Sequence, residues 1–203
     1  MDKKQFDLYL SEHEQGVKQI QLDASSLHAS VGQTYDGSLP YSYHLSMVAT
    51  AAMQFGYEIV PDESYILPLI FSAYFHDSIE DARQTYNDVM AVAHKYMSAS
   101  QAYIAAEVVY ALTNDKGRTR AERAGERYYK GIRETPLAPF VKLCDRYANM
   151  SYSFRGTNSA NLHMRNVYQK EWNHFKTSIT VDSVDSLYQL PTELIYEIEN
   201  LML

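Results

Sequence analysis

The chain carries one cysteine, Cys144, among 203 residues, which excludes an internal disulfide framework. A lone thiol fits a reducing compartment. Glycine and proline are scarce, eight and six residues, while tyrosine is abundant at 18. Few breakers and many amphipathic rings favour a mostly helical domain. Basic excess is missing too: 18 Lys and Arg stand against 25 Asp and Glu, a formal charge of −7. General binding to nucleic acid or to an anionic membrane needs a basic surface, so both partners are excluded as expectations. A small anionic substrate is not, because it needs only a local cluster of cations. No apolar run is long. The most apolar stretch, residues 65–75, is far too short to cross a bilayer and is followed by His76 and Asp77. The first sixteen residues have a basic start but no apolar segment, unlike a signal peptide. A cytoplasmic protein is expected.

Apolar residues at 46% and charged residues at 21% are ordinary for a globular domain of this size. Val17, Ile20, Ala24, Leu27 and Val31 recur at helical spacing, with Gly32 as a stop. The Asp36-Gly37 pair and Pro40 make residues 33–40 a turn-rich loop. Helices are predicted over residues 43–55, 65–80, 85–97, 100–112, 118–132, 137–154, 160–178 and 190–202. Pro136 is read as opening the 137–154 helix. No alternating pattern of period two is sustained, and no internal repeat is present. The expectation is one all-α domain of about 8–10 helices. Its body spans residues 1–180, and residues 181–203 form a C-terminal helical extension of the same domain.

The apolar helix ends in His76, Asp77, Glu80 and Asp81. On a continuous helix these four side chains project from one broad face. Three carboxylates at a helix C-terminus oppose the macrodipole, and a bound cation would resolve that conflict. Further ligands should then come from neighbouring helices. His44 stands at the start of the 43–55 helix, and Asp145 interrupts an apolar stretch between Cys144 and Tyr147. A buried mid-helix Asp needs a partner, either a metal ion or a cation such as Lys142 or Arg146. Lys142 and Asn149 share the helical face of Asp145, so Lys142 reaches either toward a metal site or to a salt bridge with Glu80 or Asp81. Between residues 116 and 133, seven cations (Lys116, Arg118, Arg120, Arg123, Arg127, Lys130, Arg133) face only Glu122 and Glu126. Such an excess can attract a polyanionic nucleotide.

This ordered set, His44, His76-Asp77 and Asp145, resembles the signature of HD-domain metal-dependent phosphohydrolases. The finer likeness is to the alarmone hydrolases, meaning the hydrolase domain of Rel/SpoT proteins and the small stand-alone hydrolases of the metazoan SpoT-homologue type. Pro40-Tyr41-Ser42-Tyr43-His44 resembles their Pro-Tyr-x-x-His element, and His76-Asp77-Ser78-Ile79-Glu80-Asp81 their His-Asp-x-x-Glu-Asp element. Thr113 to Lys116, with Val141-Lys142-Leu143-Cys144-Asp145-Arg146 and Asn149, resembles a third block. The likeness runs from about His28 to Trp172.

The resemblance implies one divalent ion on His44, His76, Asp77 and Asp145, Mn²⁺ first, with Fe, Co or Zn compatible with the same donors. It implies that Glu80 and Asp81 orient or deprotonate a water, and that Lys142 and Asn149 contact substrate. Arg165 and Tyr168 would help hold nucleotide phosphates. The expected activity is removal of the 3′-pyrophosphate of (p)ppGpp. In that branch an Arg in the loop before Pro-Tyr stacks on guanine. Here the place falls near Ala29, and no Lys or Arg occurs between Lys18 and Arg83. Tyr35, Tyr41 or Tyr43 would have to stack on the base instead. Two other readings therefore stand beside the first: hydrolysis of another nucleotide, such as a nucleoside monophosphate or a phosphorylated dinucleotide, and a non-catalytic nucleotide- or partner-binding domain. Oligomeric state is left open.

Overall fold

A helix that is apolar on every side has no surface to give to water and must lie inside. In this computed structural model every residue of Ile66–Phe75 is buried. The structure describes residues 1–114 and 118–203, the side chains of Arg120 and Ala121 excepted. Asp115 and Lys116, part of the third sequence block, and the Arg120 side chain therefore lie outside the described residues.

Among the described residues the order is α1 (Lys3–Glu12), α2 (Glu14–Ser30), β1 (Thr34–Tyr35), β2 (Leu39–Pro40), α3 (Ser42–Phe55) and α4 (Ile66–Phe75). There follow α5 (Ser78–Asp81), α6 (Tyr86–Ala93), α7 (Ala99–Leu112), α8 (Arg120–Arg123), α9 (Glu126–Glu134), α10 (Ala138–Arg155), α11 (Ser159–Ile179) and α12 (Thr192–Asn200). The fold is all-α. Its two strands form only a small antiparallel ladder, Thr34 opposite Pro40 and Tyr35 opposite Leu39.

Helix α4 packs against α2, α3 and α7, and α10 packs against α3 and α11. Helices α3, α4 and α10 thus meet in the interior. One continuous buried cluster extends from Phe6 on α1 to Leu194 and Ile198 on α12. Local chemistry sets several boundaries. Thr85 with Asp88 and Ser98 with Gln101 form capping boxes at the starts of α6 and α7. Asp36 and Gly37 both have positive φ, 51° and 72°, and Ser38 N–H donates to Tyr35 O across them. That is the hairpin turn an Asp-Gly pair favours. No helix among the described residues is long and apolar enough to cross a membrane.

Several boundaries differ from the sequence expectation, among them the end of the predicted 85–97 helix, which stops at Ala93. Helix α4 stops at Phe75, and α5 starts only at Ser78, so the predicted 65–80 helix is two helices with His76 and Asp77 at the joint. The predicted 118–132 helix is also two, α8 and α9, divided at Gly125, which is extended (φ −82°, ψ −179°). Pro139, not Pro136, lies in the first turn of α10. The residue before that helix, Leu137, is buried with a left-handed φ of 70°, and its N–H donates to Leu187 O at 2.7 Å. Helix α1 had no counterpart in the sequence reading, because only Phe6 of its residues is buried and its apolar pattern is correspondingly faint.

Candidate metal centre

Each of the three interior helices delivers a ligand-type side chain to one point. His44 comes from the first turn of α3, His76 and Asp77 from the joint after α4, and Asp145 from the middle of α10. Nε2 of His44 and Nε2 of His76 are 3.2 Å apart. Asp145 Oδ1 lies 3.4 Å from the first and 3.9 Å from the second. Asp77 Oδ2 lies 2.9 Å from His76 Nε2 and 3.7 Å from His44 Nε2. Both imidazoles are buried, at 1% and 2% exposure.

The break after Phe75 is what makes this possible. On one unbroken helix His76 and Asp77 would diverge by about 100° around the axis. At the joint, Asp77 instead takes φ −100° and ψ 4°, and its carboxylate turns back to its neighbour's ring. His76 Nδ1 contacts Ala73 O at 3.0 Å, which directs the lone pair of Nε2 inward.

His44, His76 and Asp145 form a buried group that can hold a metal ion. The donor set is chemically suited, two imidazoles and carboxylate oxygen. The spacing fits as well. Ligand bonds of about 2.1 Å place neighbouring donors about 3 Å apart and opposed ones about 4 Å apart, and the contacts among these three run from 3.2 to 3.9 Å. Asp77 lies near both imidazoles but outside this mutually close group.

Electrostatics agree with a site built for positive charge. Burial raises the Asp77 and Asp145 pKa values, but His76 beside Asp77 and Lys142 beside Asp145 more than reverse this, so both stay below the ordinary carboxylate range. Burial likewise opposes charge on His76, yet Asp77 and Asp145 lift its pKa to about 9. That proton must leave before Nε2 can ligate a metal. Lys142 Nζ donates to Asp145 Oδ2 at 2.9 Å, and the Asp145 charge outweighs burial to hold the lysine well above its usual pKa. The Lys142 salt bridge is therefore to Asp145, not to Glu80 or Asp81.

The two remaining acids separate. Asp81 accepts from the Tyr41 hydroxyl and from Gln33 Nε2, each at 3.1 Å, and Tyr41 also donates to Asp77. Burial first, then the charges of Asp77 and Glu80, push the Asp81 pKa up to about 6. Glu80 is exposed and turned to Asn114, accepting from its side-chain amide at 2.9 Å and its backbone N–H at 3.3 Å.

Beside Asp145 opens a cavity of about 640 Å³, lined among others by Lys142, Asn149, Arg123, Tyr128, Tyr168 and His174. Its size suits a small ligand. Asn149 donates Nδ2 to Asp145 Oδ1 at 2.6 Å. Tyr168 is buried under the Arg146 guanidinium, 4.8 Å from the ring centre. Arg165 lies elsewhere: its guanidinium donates to the carbonyls of Ser153, Phe154 and Gly156, closing the end of α10. Tyr43 is exposed, 6.0 Å from the Tyr152 ring. Of the basic segment, Arg133 is bound to Glu126 and Ser178 O, and Lys130 to Glu134. Ala29 is exposed on α2, so the residue that the hairpin loop presents to the centre is Tyr35, stacked on His44.

His28 was missed, although Ile20, Ala24 and His28 stand at i, i+4 and i+8 on the buried face of α2. It is fully buried on α2, its ring is stacked on Tyr41 at 4.5 Å, and neither ring nitrogen has a hydrogen-bond partner among the protein atoms. Burial, opposed by Asp77, pushes its pKa down to about 4. In the unfolded chain a histidine takes up its proton near pH 6.5. Between that pH and about 4 the unfolded state binds the extra proton, so stability falls as pH falls through this window. His28→Leu is expected to flatten that part of the profile relative to wild type. Urea unfolding at pH 7.5 and pH 5 measures it, and equal losses in the two proteins would refute the assignment.

No family model matches this chain, and no curated protein matches it.

Proposed function

We propose that the protein is a metal-dependent phosphohydrolase that removes the 3′-pyrophosphate of (p)ppGpp, as an HD-domain alarmone hydrolase does. The observation that carries this reading is the convergence of His44, His76, Asp77 and Asp145, from three helices, at the edge of a cavity bearing Lys142, Arg123 and aromatic walls. A divalent ion held there, Mn²⁺ in the first instance, would lower the pKa of a bound water and polarise a phosphoryl oxygen. The chain's own groups supply the rest. Asp81, with a pKa near 6, is mostly ionised at neutral pH and able to accept a proton from water at a free oxygen. Tyr41 orients Asp77 and Asp81 together through one hydroxyl. Lys142 and Asn149 border the cavity and can meet phosphate oxygens. Tyr43 provides exposed ring surface. Water adds to phosphorus, the ester P–O bond breaks, and the 3′ oxygen leaves with a proton.

A second reading, hydrolysis of a different nucleotide, is favoured by the residues that surround the hairpin. This side of the site carries Tyr43 and Tyr152, no Lys or Arg occurs in the sequence between Lys18 and Arg83, and stacking on tyrosine accepts any base. A panel with Mn²⁺ separates the two. Pyrophosphate release from ppGpp, abolished by chelator, is expected. Phosphate release from other nucleotides with none from ppGpp moves the assignment to the second reading, and no turnover of any nucleotide overturns both.

A further inference from the structure

The two imidazoles of the centre are oriented by different means. His76 is held through Nδ1 by the Ala73 carbonyl, the usual arrangement for a ligating histidine. His44 has no such support: among the described residues its buried Nδ1 has no hydrogen-bond partner. Its Nε2 nevertheless points at the same spot. What lies flat against the ring is Tyr35, with centroids 5.0 Å apart and planes 14° from parallel. Tyr41 meets the same imidazole only at its edge.

Tyr35 also reaches a second ligand. Its hydroxyl donates to Asn149 Oδ1 at 3.0 Å, which leaves the Asn149 amide N–H facing Asp145 Oδ1 at 2.6 Å. The strand that carries Tyr35 is itself braced. The left-handed Asp36-Gly37 turn closes the hairpin, and Tyr152 of α10 donates to Asp36 at 2.7 Å.

We propose that Tyr35 is a positioning residue for the metal centre, holding His44 on α3 by stacking and Asp145 on α10 through Asn149. This role rests on the metal reading above and assigns Tyr35 to the ligands, not to a nucleobase. Loss of groups behind metal ligands weakens binding by about 10–100-fold. Tyr35→Leu removes both ring stacking and hydroxyl, and its Mn²⁺ Kd, measured by calorimetry on the full chain, is expected to rise by that factor. Tyr35→Phe keeps the ring and loses only the Asn149 bond, so a rise of about fivefold is expected. The Co²⁺ absorption spectrum should change shape in Tyr35→Leu, reporting altered ligand geometry independently of turnover. If Tyr35→Leu does not fold, judged by its helical circular dichroism, the Tyr35→Phe affinity decides alone. Wild-type Kd and spectrum in the folded variants overturn the role while leaving the centre intact. A wild-type chain that binds neither Mn²⁺ nor Co²⁺ overturns the centre, and the role with it.

Discussion

His76→Ala combined with Asp77→Ala is expected to abolish metal binding and to lower hydrolysis at least about 10³-fold, equivalent to about 4 kcal/mol of transition-state stabilisation. The two residues supply an imidazole and, 2.9 Å from it, a carboxylate to the centre that His44 and Asp145 complete. Removing them leaves His44 and Asp145, too few donors to hold a divalent ion against water. The fold should tolerate the change. His76 and Asp77 support each other's charge in the buried centre, which is why the histidine pKa is lifted and the carboxylate lowered. Deleting both members of such a pair leaves neither partner as an uncompensated charge, so the loss of stability is smaller than for deleting one and comes mainly from the space left by the buried imidazole. Metal content after dialysis, turnover in the substrate panel and thermal unfolding of the metal-free proteins together check this. A double variant that retains one bound ion, or a wild-type rate unaffected by chelator, would show that the centre is not metal-dependent.

Phe71→Ala should produce the largest loss of stability. Phe71 is fully buried on α4, and its ring lies parallel to Phe75 at 4.2 Å, within 7°. Truncating a core phenylalanine costs about 3–5 kcal/mol, including the cavity left behind and the lost ring contact. For a chain of this size, about 2–4 °C of melting temperature is lost per kcal/mol, so a fall of about 10 °C is expected. Because α4 is packed on α2, α3 and α7, rigid neighbours can close the gap only in part. Leu8→Ala, at a side chain 57% exposed, is the comparison and should shift stability by no more than about 0.5 kcal/mol. Denaturant unfolding of the metal-free proteins measures both. A loss below about 1 kcal/mol in Phe71→Ala would mean that α4 is not the packed centre described above.

Helical periodicity located most of the elements because it is a local property. Helices α3, α7, α10 and α11 lie close to the spans their apolar spacing predicts. The pattern failed where a boundary had no local signal. Residues 65–80 read as one helix because apolar side chains continue to Phe75 and acids follow, yet the chain turns at His76. Asp-Gly marked its turn correctly, since both residues tolerate positive φ, but nothing in that tetrapeptide announced that the preceding Tyr35 would lie on His44. Arg165 illustrates the converse. Its charge made it a phosphate candidate, and the nearest acceptors in space are the carbonyls ending α10.

The sequence by itself determined the class of the protein. Scarce breakers and 3.6-residue spacing specify helices, and an apolar α4 specifies the interior. It also singled out His76 and Asp77 at the acid-rich end of an apolar helix and Asp145 within an apolar stretch, and the resemblance to HD-domain hydrolases joined them with His44 as one set. Only the tertiary structure decided how those four meet, that Lys142 pairs with Asp145, that His28 is buried against Tyr41 with no hydrogen-bond partner among the described residues, and that Tyr35 stacks on His44. Periodicity reports how a side chain is placed on its own helix. Which atoms lie within 3 Å depends on how helices far apart in the chain cross, and that is fixed by the packing of the whole core.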